Sequence, residues 1–561
     1  FITRCSAFGI GVKGKTTVTL RETVVTDTLP QPGSQQGGMG VSVHGGDLRL
    51  SACRVSRSRM YGLAAQAGGK VWAEGVTVDG TLPELASGAL GTGLDVVEGS
   101  GEIWGASIIG NSQGGLVLTE TQYSVAGVRV ADTQENPDRL TGGLGVTVFD
   151  SDVRFDAVVA VRNQRAGVFL KNAKVTIDGL VVRETTPDTC IAMSQDTPEC
   201  LSFETDSWGQ SDGTGIVVDG DPDGPGSTVT LRRAQIRDNT NTGLHVQGAA
   251  KLVAERMVVA GTRSNELGHG GVGVLLGSEH ADVTLRASRV TGNRMVAVSN
   301  QRGGTLRLTG VLIDSTQPVS ASGYGGYGLA SYGRAMTRLA GSRITDSGAL
   351  GIQAFSSFSV APPPGGTTTS GSWEGPGELT LAGAVVDHTR SVLEEIFGLG
   401  VLLDSSVRLR VMSSRILTNR GFNLWIFPSD MAEGLADFEN QIVGSVLAMA
   451  EMGATMSTGE ATAEHGAGVA STDHSKPTHI SQCVIAGNAS SGVFLAGAPK
   501  TRLSRTLLTG SYYGLVYQNG PEPELSHVLI YDNTANVASD QGLPVPDPPS
   551  MVPIVPNRAS H

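Results

Sequence analysis

Three aspartates at alternate positions, Asp219, Asp221 and Asp223 in DGDPDG (219–224), are the residues whose spacing points most directly to chemistry. Alternate carboxylates on a tight turn can converge on one hard cation, and the glycine that follows supplies the bend, as at the D-x-D-x-D-G start of a calcium loop. Thr230 stands where the bidentate Glu of such a loop belongs, so the same segment also reads as a polar turn between strands. No cofactor is expected unless this turn holds calcium. Cys190 and Cys200, separated by nine residues, fall in a stretch with little core of its own. A small disulfide is the natural reading in an exported chain, with free thiols or a metal pair as alternatives. No catalytic residue is assigned.

The elements that would position these residues repeat. A G-[VLI]-x-[VLA] opening recurs as GIGV from Gly9, GVSV from Gly40, GLDV from Gly93, GVTV from Gly145, GVGV from Gly271, GVLL from Gly400 and GVFL from Gly492. A short alternating segment such as DLRL (47–50) follows, then a third such as SRVTGN (288–293). Three short period-2 strands separated by Gly, Asn and Asp describe one coil of a solenoid.

The coils alternate in kind. Short coils close in a tight turn marked by Asn111, Asn163, Asn239, Asn293, Asn419, Asn488 and Asn533, with Asp346 in that place once. Long coils close in a loop that begins at Thr28, Thr81, Thr133, Thr185, Thr262, Thr316 or Thr389 and ends on a glycine, usually 12 residues later. The repeat is therefore a pair of coils of about 53 residues, since Thr28 and Thr81 are 53 apart. Asparagine tolerates left-handed geometry and can bond stacked neighbours' backbones. The threonines are expected to stack in a column at the loop base, their hydroxyls bonding the loop's own backbone. The closing glycines are expected to let the chain bend. Cys53, Ala106, Ala234, Ser288, Ser342, Ser414 and Cys483 form a small-residue column pointing inward.

Composition agrees with a narrow core. Glycine is 77 of 561 residues and aromatics are 5%, so stacked aliphatics must do the filling. A net charge of -12 argues against a nucleic-acid footprint, which needs a basic stripe. No apolar run approaches membrane-spanning length. Any export signal would lie outside this sequence.

Three strands per coil, an asparagine turn file and inward aliphatic stacks resemble the right-handed parallel β-helix of the pectate-lyase-like superfamily. The closer likeness is to the repeat-rich secreted β-helix proteins of bacteria. The resemblance implies an all-β, right-handed parallel β-helix of about 17–18 coils over 1–536, with insertions near 186–213, 356–378 and 446–467 and a Pro-rich tail over 537–561. Polygalacturonases of this fold carry Gly-His-Gly before a strand, and GHGG at 268–271 has that form. His269, however, sits in the glycine cluster that other loops fill with GGMG or GYGGYG, and reads as a loop histidine. Pectate-lyase chemistry would pair an acidic calcium cluster with a nearby base, and Arg232 and Arg233 follow the acidic turn on a different face of the coil.

FITRCSAFGIG aligns with RITDSGALGIQ, so Phe1 falls inside a third strand and the first coil is incomplete. That exposed cross-section would be covered by upstream coils or by another chain. Residues 356–378 have loop composition, 435–453 has near-helical apolar spacing but reads as strand to Ser445 with a short helix open over 446–453, and 543–556 reads as extended polyproline. The repeated feature beyond the needs of the fold is the loop. The function expected is therefore non-catalytic: an extracellular or cell-surface rod displaying a ridge of loops, largest at 186–213, toward a protein or a surface polysaccharide. The alternatives are a polysaccharide lyase or glycoside hydrolase, and a filament subunit associating end to end.

Overall fold

A computed structural model describes residues 1–136, 141–187, 213–265, 268, 270–319, 325–355, 357–360, 369–372, 377–390, 398–404, 407–419, 422–427, 440–448, 467–471, 477–497 and 501–539. Cys190, Cys200, His269, most of the 186–213 insertion and residues 540–561 lie outside them. The chain divides into two units, Phe1–Ser299 with Val319–Ser322, and Asn300–Pro318 with Gly323–His561. Each is built as a right-handed parallel β-helix. Among the described residues, eleven first strands fall in the first unit and eight in the second.

One coil shows the plan. A first strand, Met39–His44, turns at Gly45 into a second, Asp47–Ser51, which bends at Ala52 into a third, Arg54–Ser56. The next coil pairs with it in parallel at all three, Val41 opposite Leu63, Leu48 opposite Val71 and Val55 opposite Val78. Alternation sends Leu48, Leu50, Val71 and Ala73 into the core while their neighbours face out. In the second unit Leu339, Leu381, Val411 and Ile442 form the equivalent stack. Third-strand partners are alternately 30 and 23 residues apart at the start of the chain, Val25 to Val55 and Val55 to Val78.

The bend between second and third strands is one residue in left-handed geometry, such as Ala52 (φ 50°), Ala157 (φ 51°) or Arg233 (φ 54°). Its N–H still donates to the coil above, Ala52 N to Glu74 O at 2.9 Å, so the chain turns without losing a ladder bond. Two adjacent coils run through the bend as single strands, Asp152–Val161 and Lys174–Arg183. The residue after the bend is the inward small column, and Cys53 and Cys483 are buried there as free thiols.

A second left-handed residue ends the third strand, and after it comes a buried polar file. The threonines and asparagines alternate within this one file: Thr81, Asn111, Thr133, Asn163, Thr185, Asn239, Thr262 and Asn293, none more than 1% exposed. Asparagine side chains accept from the threonine N–H groups below: Thr81 N to Asn111 Oδ1 at 3.1 Å, Thr133 N to Asn163 at 3.2 Å, Thr185 N to Asn239 at 3.0 Å and Thr262 N to Asn293 at 3.0 Å. The second unit has a file of the same kind, Thr316, Ser347, Thr389 and Asn419, so Ser347, not Asp346, holds the place. Asp346 is the left-handed residue before it (φ 53°).

Two expectations change here. Thr389 Oγ1 donates to Asn419 Oδ1 at 2.7 Å, but among the described residues the hydroxyls of Thr28, Thr81, Thr133, Thr185, Thr262 and Thr316 bond nothing. The threonine is held instead through its backbone. The glycine opening each first strand is also not a bend. Gly145 lacks positive φ, and a Cβ there would lie 2.5 Å from both Asn163 Nδ2 and Gly167 O. It is a site of close approach between coils. Gly273 takes that place in its coil, pairing beside Val272–Leu276, whereas Gly271 (φ 88°) belongs to the loop before.

The insertions also differ from their readings. Ser357–Val360 and Thr369–Ser372 form an antiparallel hairpin, a structure their alternating β-formers favour over open loop. Val446–Ala448 is a third strand between Arg415–Leu417 and Val484–Ala486, not helix, because pairing on both sides overrides local spacing.

Candidate functional site

The acidic turn does not gather its three carboxylates. Asp219 ends a first strand, half enclosed beside Lys171 of the preceding coil, whose ammonium lies 3.8 Å from Asp219 and 3.4 Å from Asp221. Asn172 Nδ2 donates to Asp221 Oδ2 at 2.7 Å and holds that carboxyl below the usual range. Burial pushes Asp219 the other way. Asp223 is exposed. Among the described residues no three His, Cys, Asp or Glu side chains are placed to hold a metal. The calcium reading thus gives way to an ion-pair cluster in which the lysine is the cation. Arg233 is engaged elsewhere, with Asp178 at 2.7 Å.

The loops after the threonines do meet. Gly37 N of the first loop donates to Glu84 Oε1 of the second at 2.8 Å, and Asn136 Nδ2 of the third donates to Gly88 O. Within the second loop Ser87 Oγ donates to Glu84 Oε2 at 2.7 Å. Below them runs a backbone ladder of its own: Leu82 N to Ser58 O, Ser112 N to Thr81 O, Gln134 N to Asn111 O.

The second-strand sheet carries a site that the sequence reading passed over. On its outer side, at the first coils, lies a shallow groove of about 410 Å³ lined by Arg21, Arg49, Trp72, Glu74, Glu102 and Trp104, among others. Two outward columns build it. Thr19, Arg49, Trp72 and Glu102 are register partners in one, Arg21, Ser51, Glu74 and Trp104 in the other. The period-2 pattern places them. In KVWAE, Val71 and Ala73 face the core, which turns Trp72 and Glu74 outward, and in GEIWG the burial of Ile103 does the same for Glu102 and Trp104. Trp104 is 54% exposed, an uncommon state for so large an apolar ring. The Arg49 guanidinium sits over the Trp72 ring, 5.1 Å from its centroid. The available signal was parity: two of the five tryptophans stand outward on consecutive coils.

An aromatic platform flanked by exposed donors and acceptors on a rigid, open sheet can stack a sugar ring and bond its hydroxyls. Both carboxylates lie open to water.

No helix among the described residues is long and apolar enough to cross a membrane. No family model matches the chain, and no curated protein matches it. Among solved structures, it is similar to the periplasmic alginate epimerase AlgG, at 10% identity over 68% of this chain and 77% of that one, with a TM-score of 0.36. It is also similar to the pectate lyase Pel9A, at 10% identity over 55% and 68% with a TM-score of 0.25. A third is the Dettilon tailspike protein, at 9% identity over 66% and 61% with a TM-score of 0.27. Likeness at this level carries nothing about activity or ligand.

Proposed function

We propose that this chain is a non-catalytic β-helix protein of an extracellular or cell-surface setting that binds polysaccharide on the outer side of its second-strand sheet. The observation that carries the reading is the groove of Trp72 and Trp104 with Arg21, Arg49, Glu74 and Glu102. Trp104 offers an exposed ring, and the charged groups offer hydrogen bonds on a surface built of paired strands. The ridge of loops, stapled through Glu84, is a second surface for assembly with a protein.

The test is a panel of surface polysaccharides in affinity electrophoresis, run with the wild type and Trp104→Ala. Retardation by at least one glycan, lost in the variant, supports the reading. Retardation by none of them, or retardation that Trp104→Ala leaves intact, removes it. Release of unsaturated or reducing ends from a bound glycan would replace it with the lyase or hydrolase alternative. Concentration-dependent growth of end-to-end assemblies in sedimentation would favour the filament.

A further inference from the structure

Outside the groove, charges on the outer surface of the first unit pair from coil to coil. Arg57 meets Asp27 at 2.7 Å, Arg162 meets Asp132 at 2.7 Å, Lys174 meets Asp152 at 2.8 Å and Arg233 meets Asp178 at 2.7 Å. Other charges there, Glu98 and Glu120 among them, stand outside such pairs, and so do Glu74 and Glu102. Both are exposed, and neither makes an ion pair among the described residues. They flank Trp104: Glu74 is its register partner on the preceding coil, and Glu102 lies two residues before it on the same outward side.

The neighbouring ring shows what such a place holds. Trp72 has a cation over its face, the guanidinium of Arg49. Trp104 is more exposed, stands beside two carboxylates, and has no such partner among the described residues. A tryptophan face with adjacent carboxylates favours an organic cation, since the ring quadrupole and both full charges act in the same direction.

We propose that Trp104, Glu74 and Glu102 form a subsite for the ammonium of an amino sugar within a bound polysaccharide; this rests on the glycan-binding reading above. Two features narrow the ligand. The second strands here are paired on both sides, Lys70–Glu74 between Asp47–Ser51 and Ser100–Trp104, so no free edge can take up an extended peptide by strand addition. Arg21 and Arg49 line the same groove on the two earlier coils and repel a second cation. The ligand is therefore a glycan with isolated amino groups rather than a uniformly cationic chain.

The experiment uses the whole chain and three probes of matched length in calorimetry: a partly de-N-acetylated glucosamine oligosaccharide, its fully N-acetylated counterpart, and a lysine-containing peptide. The partly deacetylated glycan is expected to bind roughly tenfold more tightly than the acetylated one. Glu74→Gln with Glu102→Gln should abolish that preference while retaining the wild-type melting temperature. Trp104→Ala should weaken both glycans. Equal binding of the two glycans overturns the cation subsite and leaves the glycan reading standing. Binding of the peptide alone overturns both, and no binding of the partly deacetylated glycan overturns the subsite.

Discussion

Asp95 stands on the outer side of the first-strand sheet with Ala64 and Val117 as register partners, and burial pushes its carboxyl from 3.8 up to about 6. A carboxyl whose folded pKa lies above its unfolded value favours folding when protonated. That contribution is whole below about pH 4 and is lost as pH rises through 6. The difference is about 3 kcal/mol, from ~1.4 kcal/mol per pKa unit. Asp95→Asn should therefore raise the melting temperature at pH 8, leave it unchanged at pH 4, and flatten the slope between. A variant that melts in parallel with the wild type at every pH would show that Asp95 is solvated. The acidic turn gives a second expectation at this scale. Lys171 already places a cation between Asp219 and Asp221, so added calcium should leave the melting temperature unchanged in thermal scans. Lys171→Met should lower it by roughly 1–3 kcal/mol of stability through two carboxylates left unpaired, one of them partly buried.

Within an element, the two classes of glycine separate the geometry that a strand needs from the geometry that a turn needs. Gly145 has ordinary φ and no room, while Gly11, the fourth residue of the first strand Phe8–Lys13, has nothing within 4 Å of a built Cβ. Gly145→Ala should cost about 1–3 kcal/mol, because coils Gly145 and Gly167 must move apart against a well-packed file. Gly11→Ala should be close to neutral in urea denaturation. If the two variants unfold alike, the file of glycines answers to backbone entropy rather than to close approach. Loop glycines such as Gly38 (φ 98°) and Gly91 (φ 108°) are different, since any side chain there is strained. The alternating Thr and Asn file explains why the corner keeps two residue types. A threonine N–H turned out of the strand ladder needs an acceptor from the coil above, and the asparagine carboxamide reaches it.

Across a whole unit, the strands of each coil pair only with those of the coils before and after it, so stability is close to a sum of nearest-neighbour terms, with the loop contacts added. Ile103 is fully buried in the second-strand sheet of the first unit. Ile103→Ala should cost about 2–5 kcal/mol. In hydrogen exchange the loss of protection should concentrate in its neighbours Lys70–Glu74 and Gln122–Ala126 and fade along the chain. Uniform loss across the unit would mean that the coils unfold as one. This quasi-linear architecture is also why so much was legible in the amino-acid order alone. Inward or outward facing is a property of parity within five residues, and coil boundaries follow from glycine, asparagine and threonine a few places away. The β-helix, its three strands and its alternating corners could be read without coordinates. The hairpin at Ser357–Val360 and the strand at Val446–Ala448 could not, because their state depends on what pairs with them. The groove is the clearest case. Arg49, Trp72 and Glu102 are 23 and 30 residues apart, and each is an ordinary outward residue on its own strand. Parallel stacking alone sets each one coil spacing from the next, so tertiary structure decided which charges and rings share a surface.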